Sequence, residues 1–262
     1  MFPLAGAQNL DSPEALAEAL RQGLEARRLP AREVVAQGTW PALDLLRVDL
    51  TDVEIPRTRL PGPTGAAGSG GCTAARFELV ATPARIDSAA VRLSLQAKNA
   101  EFEFAPAPDG GSVLRVQRAA HGEVTVEMAV SDVERLVHSL AADAAKPHGA
   151  EIKQVKISLT SSGPRAVSVV AEVTAKMFIA TALITLSGDL ELDEQLTARL
   201  SNLRFSGDGM MANLAGGFIR PQLAALEGRS FPLMSFALGE IVLRDVQVQA
   251  GDTLRLSAEF GS

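Results

Sequence analysis

Apolar residues recur at every second position over most of the chain, which predicts β-strands with one buried and one exposed face. The pattern runs through Glu33–Ile55, residues 76–129 and residues 157–192. Such alternation is typical of antiparallel sheets. Residues 178–192 keep one parity and would span about 50 Å at about 3.3 Å per residue. The parity changes near Lys176, which fits either a tight hairpin or a bulge in one very long strand. Strands of this length predict an elongated, curved sheet.

Three segments have helical periodicity instead. The first opens at Asp11–Glu14, where an acidic cap and an early proline are start signals, and it ends at Pro30. The second opens with a capping box, Ser131–Glu134, and ends at Pro147–Gly149. We therefore expect two amphipathic helices, each followed by a run of strands.

The third helix begins after Ser206–Gly209 and ends at Gly228, with Pro221 as an expected kink. Its apolar side chains form rows at four-residue spacing, while the opposite side carries small residues. A helix that is apolar on one side and small on the other is predicted to be enclosed.

One loose octet occurs three times, at Val48–Ile55, Ala198–Phe205 and Ile241–Val248. Each copy reads apolar, any, Leu, polar, Asp or Asn, apolar, polar, apolar. The parity of the apolar positions flips in the middle, at Asp52, Asn202 and Asp245. A bulge inserts one residue and returns the apolar side chains to the same face, so we predict three strands bent at matching places. Chance recurrence of so loose a pattern is the alternative.

Residues 56–73 form the longest stretch rich in Gly, Pro and Ser, and they predict a flexible loop. The stretch lacks the Gly-Lys-Ser/Thr ending of a phosphate-binding loop. It also lacks the nucleophile-elbow pattern, because Ala67 stands where glycine is needed before Ser69.

The amino-acid composition limits the expected character of the core and the classes of partner. Of the 262 residues, 47% are hydrophobic, but the chain has ten Phe, one Trp and no Tyr, so its core is expected to be aliphatic. The net charge of −6 disfavours nucleic-acid binding, which needs clustered cations. The densest basic stretch, Arg27 to Arg32, is expected to stabilise the end of the first helix.

The candidate chemistry is sparse. The three histidines, His121, His138 and His148, have no metal-ligand spacing, and the single cysteine excludes an internal disulfide. Glu101 and Glu103 alternate with phenylalanines and are expected on the wet face of a strand. We therefore expect no enzyme activity, no metal and no cofactor, although a hydrolase without a recognisable motif is a minor alternative.

The C-terminal run from Phe231 to Ala258, with its Phe-Pro-Leu start and spaced Gly, Leu and Val residues, resembles the bacterial phospholipid-binding branch of the tubular lipid-binding (TULIP) superfamily. The strand Gly188–Leu192 looks similar as well. The resemblance covers residues 120–260, and residues 11–55 loosely. It implies a single α+β domain, residues 1–262, in which a long, highly curved antiparallel sheet wraps around one or two apolar helices. It also implies lipid acyl chains held between them, and no catalytic residues.

The function expected from this resemblance is non-catalytic binding of a lipid or other long apolar ligand, with transient contact to a membrane surface. The candidate pocket residues, chosen on physical grounds, are Leu136, Leu140, Met210, Leu214, Phe218 and Leu223. The alternative is a structural or protein-interaction module with a filled, dry core. The chain as given starts without a signal peptide, so the expected location is cytoplasmic, or periplasmic if the natural protein is exported.

Overall fold

Strands and helices follow one another in nearly the order that the periodicity predicts. The computed structural model describes residues 1–6, 10–55, 68, 70–107, 110–177, 180–193, 197–207, 209–232 and 243–261. In chain order the elements are β1 (Phe2–Leu4), α1 (Pro13–Ala26), β2 (Glu33–Thr39), β3 (Ala42–Asp49), β4 (Gly71–Ile86), β5 (Ala89–Pro106), β6 (Ser112–Arg118), β7 (His121–Ala129), α2 (Val130–Ala145), β8 (Ala150–Gly163), β9 (Ala166–Met177), β10 (Ala180–Leu192), β11 (Thr197–Gly207), α3 (Gly209–Leu226), β12 (Ser230–Pro232), β13 (Leu243–Gln249) and β14 (Thr253–Phe260).

The strands form two separate sheets. One has nine strands, in the order β13-β14-β7-β5-β4-β3-β2, with β6 pairing β5 and β1 pairing β6. The other has five strands, in the order β12-β11-β10-β9-β8. All four pairs of the five-stranded sheet are antiparallel, as are β1–β6, β2–β3, β4–β5 and β5–β6. Strands β3 and β4 instead run parallel, from the pair Ala42 and Thr73 to the pair Asp49 and Val80.

The predicted fold class, an α+β roll with one curved sheet wrapped around apolar helices, is wrong. The described chain is mostly β, with two sheets and three helices of 14, 16 and 18 residues. The helices lie against sheets rather than inside one: α1 packs on β1 and β2, α2 on β8, and α3 on β10 and β11. Alternation identified the strands, but it carries no information on which strands pair, and the pairing separates the two sheets.

The chain divides into two compact units. The first unit is formed mainly by Met1–Val126 and the second mainly by Glu127–Leu233, and shorter C-terminal pieces belong to each. The single domain expected from the sequence stays a prediction. No helix in the described ranges is long and apolar enough to cross a membrane.

The first unit has a densely filled aromatic and aliphatic core. Phe77 is 1% exposed, and its ring meets those of Phe2 and Phe102 edge-on, at centroid distances of 5.6 and 5.2 Å. Helix α1 buries the predicted leucine row, which starts at Leu16. Its cap is Ser12, whose Oγ accepts a hydrogen bond of 3.2 Å from the Ala15 amide, and not the acidic residue expected there.

Helix α2 begins differently from the prediction. Its N-cap is Ala129, which makes no side-chain cap, and Ser131 already lies inside the helix. Glu134, the predicted end of the capping box, accepts a 2.8 Å hydrogen bond from the amide of Ile157 on β8. Strand β8 is an edge of its sheet, so Glu134 satisfies an N–H that has no strand partner. A tertiary contact has replaced the local one.

The octet prediction is confirmed at Asn202 and is wrong at Asp52, which lies in a turn after β3 has ended at Asp49; for Asp245, which lies in β13, the bulge stays a prediction. Asp52, Asn202 and Asp245 all have left-handed backbone, with φ of 66°, 54° and 50°. Side chains on both sides of the flip are buried, as at Leu50 and Val53. At Asn202 the register shows the bulge directly, because β10 advances from Ser187 to Asp189 while β11 steps from Arg204 to Ser201. Asp and Asn are the residues other than glycine that most readily adopt this conformation.

The structure corrects the predicted end of one loop and decides between the two alternatives at another. The predicted loop 56–73 ends too late, because Gly71–Thr73 already belong to β4; residues 56–67 and 69 lie outside the described residues. The open question near Lys176 is answered by two strands, since Met177 and Ala180 are paired across β9 and β10. Residues 178 and 179 between them lie outside the description.

Candidate functional site

A groove in the second unit lies between helix α3 and strand β11. Its volume is about 630 Å³, which is within the range of roughly 300–1,000 Å³ typical of ligand sites. We call it the α3–β11 groove. It is lined by Asn202, Leu203, Arg204, Phe205, Arg220, Leu223, Ala224 and Glu227.

The sequence places these residues together through two local periodicities. Three lining residues of α3 and Glu227, which directly follows the helix, stand at positions i, i+3, i+4 and i+7 from Arg220, so they lie on one helical face. On β11, the bulge at Asn202 precedes Leu203 and Phe205, which share a parity. Both side chains are half-buried, and they form an apolar wall of the groove.

Close packing of the helix on the strand depends on Gly216. Gly216 is buried, and a Cβ built on it would lie 2.9 Å from Cε1 of Phe205. The missing side chain therefore lets the Phe205 ring lie directly against α3. On the outer side, the guanidinium of Arg220 stands 5.4 Å from the centroid of the same ring, which is a cation–π geometry.

Carboxylates hold the bulge in place. The two oxygens of Glu227 accept hydrogen bonds of 2.8 and 2.9 Å from the backbone amides of Asn202 and Leu203. The side-chain amide of Asn202 donates to Asp189 at 2.7 Å, and the other oxygen of Asp189 accepts from Ser168 at 2.7 Å. The end of α3 is thereby fixed to the bent strand.

The second unit also has an apolar layer between its sheet and its helices. Its centre is buried and includes Ile157, Val173 and Ile184. Apolar side chains of both helices, among them Val133 of α2 and Ile219 of α3, pack against it while remaining only partly buried. The opposite sheet face is largely polar but carries Leu183, which is 56% exposed.

The pH dependence of stability should report on the bulge network. Hydrogen bonds from Ser168 and then Asn202 lower the pKa of Asp189. A lowered folded-state pKa contributes stability above the unfolded value of about 3.9, and this contribution is lost as the pH falls through the folded pKa. We expect Asp189→Asn to destabilise the protein at pH 7, with a difference from wild type that shrinks below about pH 4.

Urea unfolding followed by circular dichroism between pH 7 and pH 3 measures this effect. Glu191→Gln is the matched control, because it removes a carboxylate from the same strand without removing these hydrogen bonds. A difference between Asp189→Asn and wild type that stays constant across the range would contradict the network.

The predicted pocket residues fall into three groups. Leu223 lines the α3–β11 groove. Leu136 is half-buried on α2 and Leu140 is 49% exposed there, and neither is among the groove-lining residues. Met210, Leu214 and Phe218 are residues of α3, but their side chains are outside the described part of the structure.

The sequence reasoning missed most of the groove. Leu203, Phe205 and the bulge residue Asn202 belong to the second octet, so the repeat was the signal that pointed to them. The expectation that α3 is enclosed is wrong for its second half, because Gly217, Arg220 and Ala224 are exposed. In this part of α3, the small residue Gly216 lets Phe205 approach the helix closely, whereas Gly217 and Ala224 are exposed on the helix surface.

A smaller cavity of about 350 Å³ lies in the first unit, with Cys72, Phe102 and Glu103 among its lining residues. Glu103 is only 7% exposed, in contrast to its predicted place on a wet face, and it pairs with Arg115. Burial raises the pKa of the Cys72 thiol to about 12, so the sulfur stays protonated at neutral pH and is a poor nucleophile. In the described ranges, no three His, Cys, Asp or Glu side chains are grouped to hold a metal.

Comparison with known proteins gives no match: no family model, no curated protein and no solved structure is similar to this chain. The relationship to the TULIP superfamily stays a prediction from the sequence.

Proposed function

We propose that the protein binds a lipid or another long apolar ligand without catalysis, in the α3–β11 groove. The observation that carries this proposal is the apolar wall formed by Leu203, Phe205 and Leu223 in an open volume of about 630 Å³. Burial of a ligand chain there is favourable by about 0.8 kcal/mol per methylene. Transient contact with a membrane surface is the proposed route by which such a ligand reaches the groove.

A structural or interaction module without ligand is the second candidate. The first unit favours it, because Phe77 is 1% exposed and packs edge-on against the rings of Phe2 and Phe102, so protein side chains fill that place. The two candidates differ in the second unit, where the binding proposal requires an occupied groove.

Native mass spectrometry of the purified chain distinguishes the candidates. Co-purified lipid, or saturable binding of a fluorescent fatty acid to the delipidated protein, supports the binding proposal. A lipid-free protein that also fails to bind the fatty acid contradicts it and favours the ligand-free module.

A groove-blocking substitution locates the site. We expect Leu223→Trp to weaken fatty-acid binding about ten-fold or more, because displacement of two methylenes alone costs about 1.6 kcal/mol. Fluorescence anisotropy of the labelled fatty acid measures the dissociation constant. Leu183→Trp is the control, since it adds the same bulk to the exposed opposite face of the sheet. Equal affinities of the two variants would exclude this groove as the binding site.

A further inference from the structure

Strand β2 forms one end of the nine-stranded sheet, and its outer edge is open in the described part of the chain. On its inner side it pairs with β3, in a regular register up to Gln37. On the outer side, no hydrogen bond from another described segment reaches its backbone. The apolar residues 34–36 at its centre are only half-buried. The edge therefore presents backbone N–H and C=O groups between small apolar side chains, which is a template for a further strand.

The other sheet edges of the described chain are protected, which sets β2 apart. On β8, Glu134 accepts the outward N–H of Ile157 at 2.8 Å. On β13, the amide of Val248 donates to the carbonyl of Pro164 at 2.7 Å. Strands β1 and β12 have three residues each, and β1 covers the start of β6. The centre of β2 carries neither a charge nor a proline, which are the usual protections of an edge strand.

We propose that this edge is a homodimer interface, in which β2 pairs antiparallel with β2 of a second copy of the chain. The strand is self-complementary in one register. When Val35 faces its own copy across a two-fold axis, Val34 of each chain faces Ala36 of the other. In the same register Glu33 faces Gln37, whose side-chain amide donates to the carboxylate.

This internal match is the reason to assign the edge to a second copy rather than to an unrelated extended peptide. Apolar side chains meet apolar ones, and polar side chains meet polar ones, on both sides of the axis. The pairing joins the nine-stranded sheets of two chains into one. It involves the first unit and is independent of the function proposed for the second.

The concentration dependence of the molecular mass tests the association. A single strand pair buries little area, so we expect a weak dimer, with a dissociation constant on the order of 10–100 µM. Sedimentation velocity of the full chain should show one chain at low concentration and a shift toward two chains above about 100 µM. A sedimentation coefficient that stays at the value of one chain up to about 1 mM would overturn the proposal.

Opposite charges at the symmetric position test the pairing itself. Val35→Lys and Val35→Glu each place like charges directly opposite one another, so each should weaken association about ten-fold or more. An equimolar mixture of the two variants should associate again, because a lysine then faces a glutamate. Val170→Lys is the control, since Val170 is 38% exposed in the second unit, and it should associate like wild type. Circular dichroism checks that every variant is folded. Undiminished association of either single variant, or a mixture that stays monomeric, would contradict the pairing of two β2 strands.

Disulfide cross-linking tests the register without adding a charge. Directly opposite residues of an antiparallel pair have Cα atoms about 4.5–5.5 Å apart, which suits a disulfide. Val35→Cys should therefore form an interchain disulfide under mild oxidation, seen on a non-reducing gel. Gln37→Cys is the control, because residue 37 faces residue 33 and not its own copy. The native Cys72 is 4% exposed and does not compete. Equal cross-linking of the two variants, or none of Val35→Cys, would overturn the assigned interface.

Discussion

Phe77→Ala is expected to lower the free energy of unfolding by about 3–5 kcal/mol, as is typical for removal of a buried aromatic ring. Phe77 is 1% exposed and lies between the rings of Phe2 and Phe102. Truncation removes the apolar area of the ring and two edge-to-face contacts, and it leaves a cavity that the surrounding strands fill only in part.

The single tryptophan makes this measurement specific to the first unit. Trp40 lies in that unit, where it stacks on Phe104 at a centroid distance of 6.3 Å. The urea midpoint followed by tryptophan fluorescence should therefore fall for Phe77→Ala. Leu183→Ala is the control, because an exposed leucine of the second unit should change stability by less than about 0.5 kcal/mol. An unchanged fluorescence midpoint for Phe77→Ala would show that this core is not the one described.

Asn202→Val has the second large expected effect. Asn202 has a φ of 54°, where a β-branched residue is strained by about 1–2 kcal/mol. The substitution also removes the hydrogen bond to Asp189, which contributes about 0.5–1.5 kcal/mol. We expect a total destabilisation of about 2–3 kcal/mol, measured by urea unfolding followed by circular dichroism.

The same substitution should weaken ligand binding, because the bulge sets the positions of Leu203 and Phe205 in the groove. Asn202→Gly separates the two contributions: glycine adopts positive φ at no steric cost but makes no side-chain hydrogen bond. We expect the glycine variant to lose about 1 kcal/mol and to retain binding. Equal destabilisation by valine and glycine would contradict the role of backbone conformation at this position.

The recurrence of Asp or Asn at the parity flip shows which structural features can be predicted from a residue and its immediate neighbours. The steric preference that lets Asp52, Asn202 and Asp245 adopt positive φ is a property of each residue and its immediate neighbours. The octet therefore predicted the bulge at Asn202 before any strand partner was known. It also contained Leu203 and Phe205 of the groove, although their role was not recognised.

Helix α2 shows where local reasoning fails. Its capping box, Ser131–Glu134, is a sound local signal, yet Glu134 binds the amide of Ile157, which lies 23 residues away. An edge strand with an unsatisfied N–H competes for the same carboxylate, and that competition exists only once β8 is in place. The burial of Glu103 against Arg115 of the neighbouring strand is a second case of this kind.

The sequence by itself determined most strand and helix segments, the buried parity of most strands and the bulge at Asn202. These depend on side-chain alternation and backbone sterics within a few residues. Only the tertiary structure decided that the strands form two sheets, that β3 and β4 run parallel, and that α3 lies on β11 with Arg220 over the ring of Phe205. Those features depend on hydrogen bonds and contacts between segments distant in sequence, which no local pattern specifies.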